Sequence, residues 1–327
     1  MLKYIIKRII LMIPTLLLTS LLVFIIIELP PGDYVTNYVR QMEDAGYKVD
    51  EGMEKNLREL YGLDSNMAVR YLKWVGNLAR GNMGYSLLHK KPVSDVLVPR
   101  FGVSAAISLS AMILTYTLGI PLGFYSAVKK NTLGDYSVTF IAYLGMSVPG
   151  FIMGILLLYV NSKFFGQSVG GFFSNEFKEA AWSMAKFKDL LNHVWVPLLI
   201  TMLTGLGGML RGTRIQLLDE LKKPYVEYAR AKGLSEGKML VKYPFRVAIN
   251  PTISGMAGVL SSLVGGDTIL SMVLCIPTAG PIVHAAVMKQ DMQLAGSYLM
   301  LCSVLLLIGT LLSDIMLAVI DPRIRYE

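Results

Sequence analysis

The sequence predicts an all-α polytopic membrane protein with six transmembrane helices. Hydrophobic residues make up 54% of the 327-residue chain and charged residues only 17%, whereas a soluble protein carries about 25% charged residues. The apolar residues are also gathered into runs of roughly 20, the length at which a helix crosses a ~30 Å hydrocarbon core. Composition and patterning together therefore exclude an ordinary soluble fold.

The first predicted helix covers about residues 9–28 and follows three basic residues, as a signal peptide would. Its apolar run is too long for a signal peptide and lacks a small-residue cleavage site, so we expect a retained helix. The other predicted helices cover about residues 100–127, 137–161, 195–218, 252–275 and 295–320. This arrangement divides the chain into an N-terminal helix (1–29), an extracytoplasmic subdomain (30–98) and a core of five helices (99–327).

A long polar segment separates the first two helices. It carries nine basic and nine acidic residues between Gly32 and Pro99, a balance that favours a folded subdomain over a disordered arm. The ranges Asp50–Leu60 and Ala68–Leu78 have the periodicity of amphipathic helices.

Basic residues predict the orientation. Sixteen of the 31 lysines and arginines lie in short segments on one side of the six-helix arrangement, nine of them between Arg211 and Arg246. The positive-inside rule makes this side cytoplasmic, with both termini. The net charge of +8 therefore indicates orientation and contact with lipid headgroups rather than nucleic-acid binding.

Glycines, prolines and three acidic residues mark the predicted helices. Glycines four residues apart allow close helix approach, and three such pairs occur, at 119/123, 150/154 and 208/212. Pro121 and Pro149 fit ordinary packing or kinks along a substrate path. Asp267 either faces a translocation path or makes a helix–helix hydrogen bond. Glu28 and Asp314 lie near helix ends, where exposure at the membrane interface or a structural ion pair is favoured over a role in ion coupling.

No constellation for catalysis, metal binding or cofactor binding is predicted. The three histidines, His89, His193 and His284, are scattered, and the chain has no GxxxxGK[ST] phosphate loop, GxSxG or HExxH motif. We therefore expect the chain not to be an enzyme and to hydrolyse no ATP itself.

The segment from Pro224 to Pro251, PYVEYARAKGLSEGKMLVKYPFRVAINP, predicts two short helices joined at Gly233, within a cytoplasmic loop covering residues 219–251. Residues 227–231 favour helix, Gly233 can end it in a left-handed conformation, and Ser235 can cap a second helix. The pattern fits an amphipathic linker on the lipid headgroups equally well. The alternative is a rigid surface for a soluble partner.

The same segment resembles the conserved cytoplasmic loop of ABC importer permeases. Glu227, Ala229 and Gly233 match its E-A-A-x-x-x-G core, with Tyr228 in place of the first alanine. The N-terminal helix with its ELPPGD exit, the external LRELYGLD…GYSLLHKKPVSDVL stretch and the terminal DPRIR extend the resemblance over nearly the whole chain. They are similar to the oligopeptide/dipeptide branch, in its first permease type with the long external segment.

The resemblance implies a function and partners. Such permeases pair as heterodimers with a second permease, bind two ABC ATPase subunits that use the ATP, and receive solute from an extracytoplasmic binding protein in a bacterial or archaeal plasma (inner) membrane. By carry-over, the ATPase-coupling residues are Glu227, Ala229, Gly233 and Leu234. The implied function is ATP-driven import of oligopeptides or similar oligomeric solutes.

Other functions stay open on the sequence. The same type of importer could carry oligosaccharides, since the branch that the chain resembles includes systems similar to importers of oligosaccharides. The chain departs from the family pattern in SMVLCIPTAGP (residues 271–281), so the resemblance implies no detail of the substrate path. A stand-alone ion-coupled transporter and a membrane-embedded hydrolase are alternatives from different classes, against which the resemblance and the missing catalytic motifs count.

Overall fold

The fold consists of long apolar helices and a small subdomain between the first two of them. A computed structural model describes residues 2–29, 34–44, 46–47, 50–61, 63, 65–166, 169–255 and 267–320. The elements up to the third predicted transmembrane segment are α1 (Leu2–Glu28), α2 (Tyr34–Asp44), α3 (Glu51–Tyr61), α4 (Met67–Ala79), β1 (Tyr85–Ser86), β2 (Lys91–Pro92), α5 (Val93–Val128), α6 (Leu133–Ser147), α7 (Gly150–Val160) and a π-helical turn (Asn161–Phe165). The later elements are α8 (Met184–Leu221), α9 (Pro224–Ala231), α10 (Glu236–Lys242), α11 (Pro244–Ala248), α12 (Thr268–Val273), α13 (Ala279–Met288) and α14 (Met292–Ile320).

Among the residues that the structure describes, four helices are long and apolar enough to cross a membrane: α1, α5, α8 and α14. The bent pair formed by α6 and α7 adds a fifth crossing if it is one span. The fifth predicted helix, 252–275, lies partly outside the described residues: 250–255 and α12 are helical, and 256–266 fall in between. The all-α membrane class is confirmed, while the number six stays a prediction.

The third predicted helix, 137–161, is broken into α6 and α7 at Pro149, one of the two prolines at which the sequence allows a kink. The chain turns by 97° between α6 and α7. Val148 is extended (φ −98°, ψ 122°), and Pro149 occupies the N-cap of α7. Proline lacks the N–H needed to continue a helix and disfavours the helical conformation in the residue before it, which explains the break.

Pro121 has no comparable effect, since α5 runs through it without interruption from Val93 to Val128. Glycines let α5 approach α8 closely. A Cβ on Gly119 would lie 2.6 Å from Met209, and one on Gly123 would lie 2.8 Å from the backbone oxygen of Leu210. This pair therefore does what its spacing predicts.

The third glycine pair differs from its prediction. A Cβ on Gly208 or Gly212 would meet nothing within 4 Å in the described part of the chain. Gly207 makes the close approach instead, since a Cβ there would lie 2.7 Å from the backbone oxygen of Ala142 on α6.

The two amphipathic helices predicted in the external segment are present as α3 and α4. Trp74 on α4 is buried against Phe24 of α1, with ring centroids 5.8 Å apart. Arg70 donates a hydrogen bond to Glu28 across 2.7 Å. The subdomain is thus fixed to the membrane helices by an aromatic contact and an ion pair.

A short hairpin of β1 and β2 completes the segment between α1 and α5 and is held by Asp291, which is fully buried. One oxygen of this carboxylate accepts hydrogen bonds from Ser86 Oγ (2.6 Å) and the Leu88 N–H (3.0 Å). The role of Asp291 is not predictable from the sequence, because its partners lie about 200 residues away in the chain.

The end of the molecule opposite the hairpin contains the first residues of α1 and the last residues of α14. Arg8 and Asp314 form an ion pair at 3.0 Å between α1 and α14, and Ser313 Oγ donates to the backbone oxygen of Ile253 at 3.1 Å. We call this end, with the α5–α6 turn and helices α9–α11, the basic side. Glu28 and Asp314 each form an ion pair with an arginine, which is one of the two roles that their positions near helix ends favour.

Candidate functional site

The candidate site is the pair of short helices α9 and α10, residues 224–242, which we call the elbow. Pro224 begins α9, at a position where its missing N–H costs nothing. Ser235 is the N-cap residue of α10, as predicted, although its side chain makes no capping hydrogen bond. Two ordered helices of eight and seven residues therefore stand where a plain turn would connect α8 to the next span.

Gly233 makes the bend of the elbow. Its φ is +77°, a left-handed conformation that side-chain-bearing residues rarely adopt. Its N–H donates to the backbone oxygen of Arg230 at 2.9 Å and closes the end of α9. The predicted left-handed termination is therefore present.

The inner face of the elbow is a small apolar cluster. Val226, Ala229, Met239 and Leu240 are buried, and Leu234 is one of the half-buried residues packed against them. Ala229 is 4% exposed, so a larger side chain there would separate the two helices. The cluster holds α9 and α10 as one rigid unit.

The outer face carries charge and an aromatic ring. Arg230 Nη2 contacts Glu236 Oε1 at 2.7 Å across the bend, and both side chains are exposed. The hydrogen bond from Arg230 lowers the pKa of Glu236, and the same bond raises that of Arg230. Glu227 and Tyr228 are exposed beside them, with Lys232 Nζ 4.7 Å from the centre of the Tyr228 ring.

Glu220 fixes the elbow to the end of α8. Its two carboxylate oxygens accept hydrogen bonds from Lys223 Nζ and from the Tyr225 hydroxyl, both at 2.6 Å. Burial and the bond to Glu220 raise the pKa of Tyr225, which therefore stays a hydrogen-bond donor. The sequence reasoning did not find this contact, although its acidic and tyrosine residues are only five positions apart.

Phe124 near the end of α5 connects the elbow to the membrane helices. It packs on the elbow cluster and on a second cluster formed by Ala127, Leu217 and Ala248. Its ring meets that of Phe245 on α11 edge-to-face, with centroids 5.2 Å apart. The elbow therefore contacts α5, α8 and α11 through one continuous apolar surface.

The three residues predicted for a translocation path do not form one site. Asp267 lies beside α7, since a Cβ on Gly150, next to Pro149, would be 2.9 Å from its carboxylate. Its other oxygen caps α12 by accepting from the Leu270 N–H at 3.0 Å. Pro121 lies elsewhere, near the C-terminal end of α5. None of the three residues belongs to the elbow.

An open cavity of about 420 Å³ begins at Thr268, the residue that follows Asp267. Its lining is mainly apolar and comprises Thr268, Ile269, Met272, Gly280, Val283, His284 and Tyr298. No group of three or more metal-ligating side chains occurs within the residues that the structure describes.

Comparisons with known proteins bear on the whole chain. Residues 119–326 match the family described as binding-protein-dependent transport system inner membrane component. The oligopeptide transport system permease protein AppB of Bacillus subtilis is 31% identical, with 100% of both chains covered. The glutathione transport system permease protein GsiC of Escherichia coli K12 is 29% identical over the same full coverage.

The fold has a solved counterpart. A chain of the MetNI methionine ABC transporter in its inward-facing conformation superposes with a TM-score of 0.51 at 15% identity, covering 69% of this chain and 96% of that one. At this identity the likeness concerns the fold alone. The match over residues 119–326 and the full-length relatives lead to one conclusion: the chain belongs to the family of binding-protein-dependent transport system inner membrane components.

Proposed function

We propose that this chain is the membrane-spanning subunit of an ATP-driven importer that takes up oligopeptides delivered by an extracytoplasmic binding protein. The observation that carries the proposal is the ordered elbow on a chain that aligns end to end with a permease of an oligopeptide system. The names of the relatives favour peptides over oligosaccharides as the solute, and an ion-coupled transporter has no evident use for the elbow.

The elbow is the proposed receptor for an ATPase subunit. Glu227 lies on its exposed face, Ala229 and Leu234 hold α9 against α10, and Gly233 forms the bend. A rigid helical unit transmits a rigid-body motion better than a flexible loop does. Closure of the ATPases would therefore move α5, α8 and α11 through the apolar surface around Phe124.

The proposed assembly contains a second, homologous permease, two ABC ATPases and the binding protein. ATP is used by the ATPases, and this chain needs no cofactor. Its basic side faces the cytoplasm with both termini, because lysine and arginine concentrate there. Helices α2 to α4, within the extracytoplasmic subdomain 30–98, provide the docking surface for the binding protein, and residues 99–327 form the permease core.

The solute path is proposed to pass Asp267 and the cavity beside it. Asp267 is exposed although it lies within an apolar segment, where ionisable residues commonly face a water-filled cavity. The 97° bend at Pro149 places α7 against α12, next to this carboxylate. Pro121, in an unbroken helix, is the weakest member of the proposed path.

Uptake by the reconstituted complex tests the proposal. The chain is purified with its partner subunits, inserted into liposomes and supplied with binding protein and a labelled peptide. We expect uptake that requires ATP and continues after an ionophore has collapsed the ion gradients. Uptake that follows an imposed ion gradient without ATP would contradict the proposal and favour the ion-coupled class.

A further inference from the structure

A buried carboxylate joins three membrane helices on the basic side. Asp135, in the first turn of α6, is 1% exposed. One of its oxygens accepts from the Asn131 N–H at 2.9 Å and from Arg214 Nη2 at 2.8 Å. The other accepts from Ser126 Oγ and from Thr139 Oγ1, the latter at 3.3 Å. A single side chain thus connects the end of α5, the α5–α6 turn and α8.

Arg214 lies on the helix that leads into the elbow. Leu217, less than one turn further along α8, is fully buried in the cluster beside Phe124, and Leu221 packs on the elbow itself. The stretch from Arg214 to Leu221 is continuous helix, about two turns long. Any displacement of the elbow therefore reaches Arg214 through a rigid rod.

Two other contacts between α6 and α8 are of a different kind. They rely on small residues: a Cβ on Gly145 would lie 2.6 Å from the Leu203 backbone oxygen, and Gly207 approaches Ala142 in the same way. Close packing of this kind depends on van der Waals contact, which does not by itself prevent one helix from sliding along another. The hydrogen bonds of Asp135 are directional and fix the position of α6 along α8.

Stability alone does not explain an ion pair whose carboxylate is buried. Removing two charges from water costs free energy, and apolar residues of similar volume often stabilise a protein as well or better. The best-attested use of such pairs is to fix how elements are positioned. The pair between Asp135 and Arg214 is placed for that purpose, at the point where α6 begins and near where α8 meets the elbow.

We infer that Asp135 and Arg214 form the positioning pair that transmits movement of the elbow to α6 and α7. When α8 moves with the elbow, the pair forces the α5–α6 turn and the start of α6 to follow. Without it, the small-residue contacts let α8 slide and the movement is lost before it reaches α7. The inference rests on the proposed function and adds a second set of residues to it.

The test measures solute molecules transported per ATP hydrolysed by the reconstituted complex. Asp135→Asn removes the charge but keeps a side chain of the same shape, and Arg214→Lys keeps the charge but loses the forked geometry. Asp314→Asn is the matched control, because it makes the same change in the ion pair with Arg8, which joins α1 to α14 away from the elbow. A merely structural role would lower the amount of complex, and both rates together, without changing the ratio.

We expect Asp135→Asn to lower the ratio by roughly twofold to thirtyfold, the range typical of residues that carry coupling between sites. Arg214→Lys should lower it less, and Asp314→Asn should leave it unchanged. An unchanged ratio in an assembled Asp135→Asn complex overturns the inference. If that variant does not assemble, Arg214→Lys decides in the same way.

The remaining outcomes are also decisive. If neither variant assembles, the pair serves folding and not transmission, and the inference is overturned. If a substitution of Gly233 uncouples uptake from hydrolysis while both pair variants stay coupled, this inference fails and the proposed function stands. If the wild-type complex shows no ATP-driven uptake, the proposed function itself fails.

Discussion

Replacing Gly233 with alanine strains the bend of the elbow without any steric clash. A side chain at this position would meet nothing within 4 Å, but its φ of +77° is left-handed. For a residue with a Cβ, this conformation costs about 1–2 kcal/mol. A cost of that size lowers the ratio of the native bend to other conformations by a factor of about 5 to 30.

Asparagine should be milder than alanine at this position, because it tolerates the left-handed conformation better, and valine should be worse. Gly237 provides the matched control. It lies four residues away in α10 and also has open space around it, but it has helical geometry. Gly237→Ala should therefore favour the helix by about 0.5–1 kcal/mol.

The assay is co-purification of the ATPase with the permease, followed by the ratio of uptake to hydrolysis in liposomes. Both quantities should decline in the order glycine, asparagine, alanine, valine at position 233 and stay at the wild-type level for Gly237→Ala. The reasoning is refuted if Gly233→Ala behaves as wild type, or if both alanine variants lose coupling equally.

Three further predictions concern the ion pair, the external subdomain and the acidic residue near α12. Because Arg230 lowers the pKa of Glu236, the stabilising effect of the pair is present above the ordinary glutamate pKa and is lost as pH falls through the lowered value. Thermal melts of wild type and Glu236→Gln should thus differ slightly at neutral pH and converge in acid, and a difference that grows in acid would contradict this. Deleting residues 51–80 while membrane insertion is retained should abolish docking of the binding protein, and unchanged affinity in a pull-down would contradict the docking surface. Asp267→Asn keeps an N-cap acceptor and should lower uptake at an unchanged melting temperature. Asp267→Ala should lower uptake and also destabilise α12 by about 1 kcal/mol. Normal uptake by Asp267→Asn would show that this residue is not part of the solute path.

Local signals made the helices and the elbow predictable. Apolar runs predicted the membrane spans, periodicity predicted α3 and α4, and the glycine with a following serine predicted the bend at Gly233 and the start of α10. Each of these depends on residues close together in the chain. Even here the boundaries shifted, since α5 begins at Val93 and α8 at Met184, several residues before the apolar runs.

Contacts between distant residues could not be predicted from one sequence. The bond between Asp135 and Arg214 joins residues 79 positions apart, and Asp291 binds partners more than 200 positions away. The break at Pro149 was visible as a possible kink, but its angle depends on packing of α7 against α12. The glycines at 208 and 212 have the spacing for close approach, yet α8 turns Gly207 towards α6 instead.

The most direct test of the central claim, that the elbow receives an ATPase, is site-specific photo-crosslinking. A benzophenone side chain replaces Tyr228 on the elbow, which is 64% exposed, and in a control variant it replaces Tyr159 on α7, which is 56% exposed. The account predicts that irradiation of the assembled complex joins the ATPase to position 228 and not to position 159. Absence of an adduct at position 228 in an active complex, or equal adducts at both positions, would contradict it.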